Sequence, residues 1–267
     1  MWTGTLSGAW SLKAKEALLH PFRQAPTMRT AIRLLAPVGL VWVVVLVAGT
    51  SCTSSASTPT PTRPSPIELH DRAAEAVRGL DTVAFVLSHE AGGTDMGGGL
   101  VLKTVDGVAA FPDRATLTAQ AVVTALSVNV EIALTQIGPR AFMRDPLSRV
   151  WREVEPASLP FLFVDMGTSV GDAIASGTNV ALVGPAVLDG TPVYVLTSEV
   201  LPEALRGLVP AAQAGERLLV EVRMGQGDGL VRSLRLEGRL IAADPPDMVR
   251  YLRLSNFNAP VIIEPPE

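Results

Sequence analysis

The stretch Ser127-Val128-Asn129-Val130-Glu131-Ile132-Ala133-Leu134-Thr135-Gln136 decides the fold class. Val128, Val130, Ile132 and Leu134 take every second position, and Asn129, Glu131, Ala133 and Thr135 fill the gaps. Successive side chains of an extended chain point to opposite faces, so this segment carries one apolar face and one wet face. That is the pattern of antiparallel sheets, which pack one side on a core and leave the other in water. Residues 115–123 repeat it immediately upstream, with Leu117, Ala119, Ala121 and Val123 alternating against more polar neighbours.

Working outward, the period changes only at a few places. Residues 67–80 read as an amphipathic helix, with Ile67, Leu69, Ala73, Ala76, Val77 and Leu80 on one side and Gly79 at its end. Strands are expected over 82–90 and 97–105, with Asp106-Gly107 as a hairpin turn into 108–111. After Gly138-Pro139-Arg140, short strands follow at 141–144 and 149–154. The apolar run 159–164 then leads into a short helix around 168–175. Strands at 179–188, 193–197, 217–224, 230–240 and 248–257, with a second helix at 202–208, complete the chain. No internal repeat and no second linker is present, so 67–265 reads as a single domain. The expected architecture is α+β and mostly β, a large antiparallel sheet curled over a few helices.

Composition narrows the function. Net charge is −4, charged residues make up 18% and hydrophobic ones 48%. Such a chain is too apolar to be disordered, and no Arg/Lys cluster tracks a phosphate backbone, so nucleic acid is not an expected partner. One cysteine excludes an intramolecular disulfide and a Cys-based zinc site.

The position of that cysteine is informative. Met28-Arg29-Thr30-Ala31-Ile32-Arg33 is a short cationic stretch, residues 34–48 are apolar, and Gly49-Thr50-Ser51-Cys52 follows. This is the three-part form of a secretory signal. The apolar run is shorter than the ~20 residues a membrane-spanning helix needs. Residues 28–51 are therefore read as a signal peptide, and 1–27 as a gene-model extension ahead of a start at Met28, or as extra n-region. Residues 52–66, rich in Ser, Thr and Pro, cannot bury apolar surface and read as an extended tether. Gly49-Thr50-Ser51-Cys52 resembles the lipobox of bacterial lipoproteins, in which the cysteine is diacylated; Gly49 departs from the usual Leu or Val. The alternative is an ordinary cleaved signal beside an incidental cysteine.

The order of elements in the folded part resembles the LppX/LprG-like lipoproteins of mycobacteria and related bacteria. The resemblance rests on Arg140-Ala141-Phe142-Met143-Arg144-Asp145-Pro146 with Trp151 and the helix-bearing insert after it. It also rests on Leu188-Asp189-Gly190-Thr191-Pro192-Val193-Tyr194-Val195-Leu196 and on the C-terminal Asn256-Phe257-Asn258-Ala259-Pro260-Val261-Ile262-Ile263-Glu264-Pro265-Pro266. It implies a half-barrel wrapped over helices, similar also to the LolA and LolB carriers, with an apolar cavity for the acyl chains of complex lipids. A membrane-anchored extracytoplasmic lipoprotein follows, with a lipid or glycolipid ligand, the membrane itself through acylated Cys52, and a membrane transporter as partners.

On this reading the cavity mouth falls at Phe161, Leu162, Phe163 and Met166, with Val170 and Ile174 on the helix behind. Val122, Leu126, Val130, Ile132 and Leu134 would line the concave sheet face. The same residues serve equally as ordinary core. An aromatic content of 5% suits alkyl chains better than sugar stacking. Catalysis is not expected: the chain has no Gly-x-Ser-x-Gly elbow, no His-Glu-x-x-His and no Gly-rich phosphate loop, and it calls for no cofactor or metal. His89 and Glu90 are adjacent on a strand and so face apart. A groove that binds an apolar polypeptide, as in an envelope chaperone, demands the same surface and stands as the alternative.

Overall fold

Pro66 suits the first turn of a helix because its ring fixes φ and the missing N–H would have had no partner there. The computed structural model describes residues 64–146 and 148–266, and it opens on that helix, α1 (Pro66–Arg78), with Gly79 at its C-cap. Leu69, His70, Ala73, Ala74 and Val77 form the buried face. Ile67, expected on that face, is 62% exposed, and His70 is buried instead. Cys52, the signal-like segment, the stretch 1–27 and the tether up to residue 63 lie outside the described residues.

From Thr82 onward the chain is mostly strand. The first group is β1 (Thr82–His89), β2 (Thr94–Asp95), β3 (Leu100–Ala110), β4 (Arg114–Val123), β5 (Val128–Ile137), β6 (Arg140–Arg144) and β7 (Trp151–Val154). α2 (Met166–Ala175) follows, and then β8 (Thr178–Leu188), β9 (Thr191–Val200), β10 (Leu218–Gly225), β11 (Val231–Glu237) and β12 (Val249–Ser255). All twelve belong to one antiparallel sheet in the order β7-β6-β5-β4-β3-β1-β12-β11-β10-β9-β8, with the short β2 paired to β3. Two meanders are thus joined where β1 meets β12, and the sheet is curved and open. The architecture is mostly β with two helices, as the alternating pattern implied.

α1 and α2 cross on the concave side. The crossing is close: a Cβ on Gly171 would stand 2.5 Å from Cγ of Arg78 and 2.9 Å from the Ala74 carbonyl oxygen. Beside it, Arg78 Nε donates to Asp172 Oδ1 at 2.9 Å.

Several boundaries differ from expectation. Asp106-Gly107 is no turn, because β3 runs straight through it, with Gly107 paired to Phe85 on one side and Leu117 on the other. The glycine serves close approach instead: a Cβ there would lie 2.5 Å from Phe85 Cζ and 2.9 Å from Leu117 Cβ. The reversal comes at Phe111-Pro112-Asp113, between β3 and β4. The helix expected at 202–208 is only a 3-10 turn, Pro202–Leu205, and α2 begins two residues before its expected start, at Met166.

Candidate functional site: an apolar cavity under the sheet

Strand register builds the wall of the site. Ile132 pairs with Ala119, Ala119 with Val105, Val105 with Leu87, Leu87 with Leu252, and Leu252 with Leu234. One row of side chains therefore runs across β5, β4, β3, β1, β12 and β11 on the concave face. The next row includes Ala121, paired with Leu102. Alanines at 119 and 121 leave space where larger neighbours on curved strands would otherwise meet. That space is a cavity of about 590 Å³.

Its remaining walls come from the helical side. Met166, Gly167 and Val170 of α2 face it, as do Leu159, Pro160, Phe161 and Phe163 from the segment before α2. That segment is tied down by backbone: Leu162 N–H donates to the Leu208 carbonyl at 2.8 Å, and Asp165 N–H to the Pro112 carbonyl at 2.8 Å. Loop residues Leu208, Val209 and Ala211, with Leu240 and Ile241, close another side. Among the described residues that line it, the only polar or charged side chains are Thr94, Asp95, Ser158 and Arg250.

The candidates named from sequence divide accordingly. Ile132, Leu134, Phe161, Phe163, Met166 and Val170 line the cavity. Val122 does not, because Ala121 faces inward and the next residue on a strand must face outward; it pairs with Asn129 on the outer side. Leu126 is 72% exposed in the turn between β4 and β5. Val130 shares the inner face with Ile132 but lies beyond the cavity, near the start of β5. Leu162 is off the wall, since its neighbours Phe161 and Phe163 are the ones turned in. Ile174 is 3% exposed and belongs to the core, also off the wall.

Residues not singled out from sequence carry much of the wall: Ala119, Ala121, Leu87, Leu102, Leu252 and Leu234. Pairing 115–123 with 127–136 across their turn would have found Ala119 opposite Ile132. The far half, from β11 and β12, carries no such local signal, because it joins the near half only where β12 meets β1 across most of the chain.

A buried polar chain interrupts the apolar wall. Arg250 follows His89 across the β12–β1 register and is 5% exposed. Its Nη2 donates to Asp244 Oδ1 at 2.5 Å, and its Nε to Thr94 Oγ1 at 3.1 Å. Asp244, 3% exposed, also accepts from the backbone N–H groups of Leu240 and Ile241 through Oδ2, at 2.9 and 3.0 Å. His89 Nε2 lies 2.9 Å from Thr94 Oγ1, and its Nδ1 2.9 Å from the Lys103 carbonyl oxygen. The carbonyl can only accept, so Nδ1 carries the proton and Nε2 accepts from Thr94. Burial, and beyond it the Arg250 charge, hold His89 below the ordinary histidine pKa against the opposing pull of its bond to Lys103.

An open antiparallel sheet curved over two helices, with an apolar cavity between them, matches solved structures. LprF from Mycobacterium bovis superposes with a TM-score of 0.57 at 17% identity, over 76% of this chain and 98% of that one. The lipoprotein LppX from Mycobacterium tuberculosis gives 0.52 at 16% identity, over 74% and 98%. This chain has the LppX fold. No family profile matches its sequence, and no curated protein does. In LppX-fold terms, the cavity described above occupies the hollow of the curved sheet, and the Arg250–Asp244 pair is buried at its wall. Among the described residues no group of three His, Cys, Asp or Glu side chains is arranged to hold a metal, and no helix is long and apolar enough to cross a membrane.

Proposed function

We propose that this protein is an extracytoplasmic lipoprotein that holds the acyl chains of a lipid or glycolipid in the cavity under its sheet, without catalysis, while acylated Cys52 keeps it at a membrane. The observation that carries the reading is the cavity itself, about 590 Å³ with an almost wholly apolar wall. That volume lies inside the ~300–1,000 Å³ range of ligand pockets. An alkyl occupant makes dispersion contacts with such a wall and requires no polar partners. The likeness to LppX, itself a lipoprotein by name, and the signal, lipobox and tether pattern of residues 28–66 support the same reading.

The test is lipid content. Full-length protein purified from its membrane is expected to release diacyl or glycolipid species on extraction, near one per chain. Ala119→Trp, which projects an indole into the middle of the row, should lower that content several-fold while the protein still melts cooperatively. Native mass spectrometry distinguishes the alternative, since a stoichiometric polypeptide in place of lipid would make the cavity a chaperone groove.

A further inference from the structure

Arg250 is out of keeping with its surroundings. An ion pair buried in an apolar wall is commonly no more stable than hydrophobic residues of the same size. A lipid cavity built only for hydrocarbon would therefore do as well with methionine here. The guanidinium is held in one orientation by Asp244 through Nη2 and by Thr94 through Nε. Nη1 has no hydrogen-bond acceptor among the described residues, yet it is not among the fully buried unpartnered atoms. Arg250 lines the cavity with a side chain only 6% exposed, and Nη1 is a donor that its two bonds leave unused. An arginine presents five N–H donors in a rigid fork, and a spare donor in an apolar site costs free energy until an oxygen accepts from it.

We propose that Arg250 is the polar anchor of the cavity, donating from Nη1 to the carbonyl oxygen of an acyl ester. The inference rests on the lipid-holding reading above and deepens it. The charge balance selects the class of group. Asp244 already neutralises Arg250 and is itself held by two backbone N–H donors, so the site has no net charge to offer an anion. A neutral ester or amide carbonyl, acceptor only, fits; a carboxylate would enter beside Asp244 and be repelled. The chain Arg250–Thr94–His89–Lys103 carbonyl fixes the donor direction from β12 through β2 and β1 to β3. The cavity is thereby polarised: alkyl chains lie along the Ile132-to-Leu234 row and the ester sits beside it, at Arg250, two residues along β12 from Leu252. Asp244 and Thr94 are positioning residues.

The experiment measures displacement of an apolar naphthylamine dye from delipidated full-length protein. The competitors are methyl palmitate and octadecane, which match in chain length and differ in the carbonyl. Wild-type protein is expected to bind the ester about tenfold more tightly than the alkane, the effect of one charge-assisted hydrogen bond. Asp244→Asn with Arg250→Met, which leaves no unpaired buried charge, should remove that preference and keep alkane binding. Asp244→Asn alone should shift the preference toward ionised palmitate, a change that a merely structural role for the pair would not produce. Equal displacement by ester and alkane in the wild type overturns the anchor and leaves the cavity reading standing. If neither compound displaces the dye, the carrier reading fails, and the anchor with it.

Discussion

His70 shows how one residue ties helix to sheet. It is 2% exposed, with Nε2 3.2 Å from Ser198 Oγ on β9. A Cβ on Gly177 would come within 2.9 Å of its Cε1, so the ring fills its site completely. Burial lowers its pKa below the ordinary histidine value, with Asp71 pulling the other way. The folded protein therefore holds a neutral ring, whereas the unfolded chain takes up a proton near pH ~6.5. Below that pH the unfolded state binds more protons than the native state, so stability falls as pH falls. Urea midpoints measured from about pH 8 down to about pH 5 should decline, and His70→Gln should flatten the decline in part. His89, shifted in the same direction by burial, supplies the rest; midpoints that rise on acidification would contradict both. At this scale sequence reading was weakest. Asp106-Gly107 carries the strongest short hairpin signal there is, yet Gly107 exists to admit the ring of Phe85, a contact set by the pairing of β1 with β3. Arg250 likewise looks like any surface arginine until Asp244 is folded against it.

Elements were more legible, because alternation is a local property. β4 and β5 follow from their own residues, and so does the face that Ile132 and Leu134 present. Val122 was misplaced because its apolarity outweighed its parity; the alternation of Leu117, Ala119 and Ala121 already assigned it outward. The helical insert divides in the same way. Phe161 and Val170 face the cavity, while Ile174, one turn beyond Val170, packs in the core. Truncation should separate these roles. Ile174→Ala is expected to cost roughly 2–4 kcal/mol in denaturant unfolding and to leave bound lipid unchanged, as a large-to-small change in packed core. Phe161→Ala removes a side chain that already borders empty space, so it should cost less stability and lose more lipid. The reverse ranking, with Phe161→Ala the more destabilising and lipid content unaltered, would make the segment before α2 a core plug and not a cavity wall.

At the scale of the molecule, curvature and hollow space are properties no window of sequence contains. They arise where β12 pairs with β1 and brings Leu252 and Leu254 beside Leu87 and Phe85, joining strands separated by most of the chain. What remains separable at this scale is attachment from cargo. Among the described residues, those of the cavity wall begin at Val77, whereas the proposed anchor, Cys52, stands well before them in the sequence. Two acyl chains on one cysteine hold a protein firmly where a single chain does so marginally, and a proline-rich tether keeps a domain spaced from the surface without packing against it. Cys52→Ala should therefore move the protein from the membrane fraction to the soluble extracytoplasmic fraction while melting temperature stays unchanged. Protein that remains on carbonate-washed membranes after this substitution would show that something other than the cysteine holds it there. Lipid content of the released protein adds a second readout: an undiminished load means the cavity fills without the anchor, and an empty one means that loading takes place only at the membrane the tether holds it to.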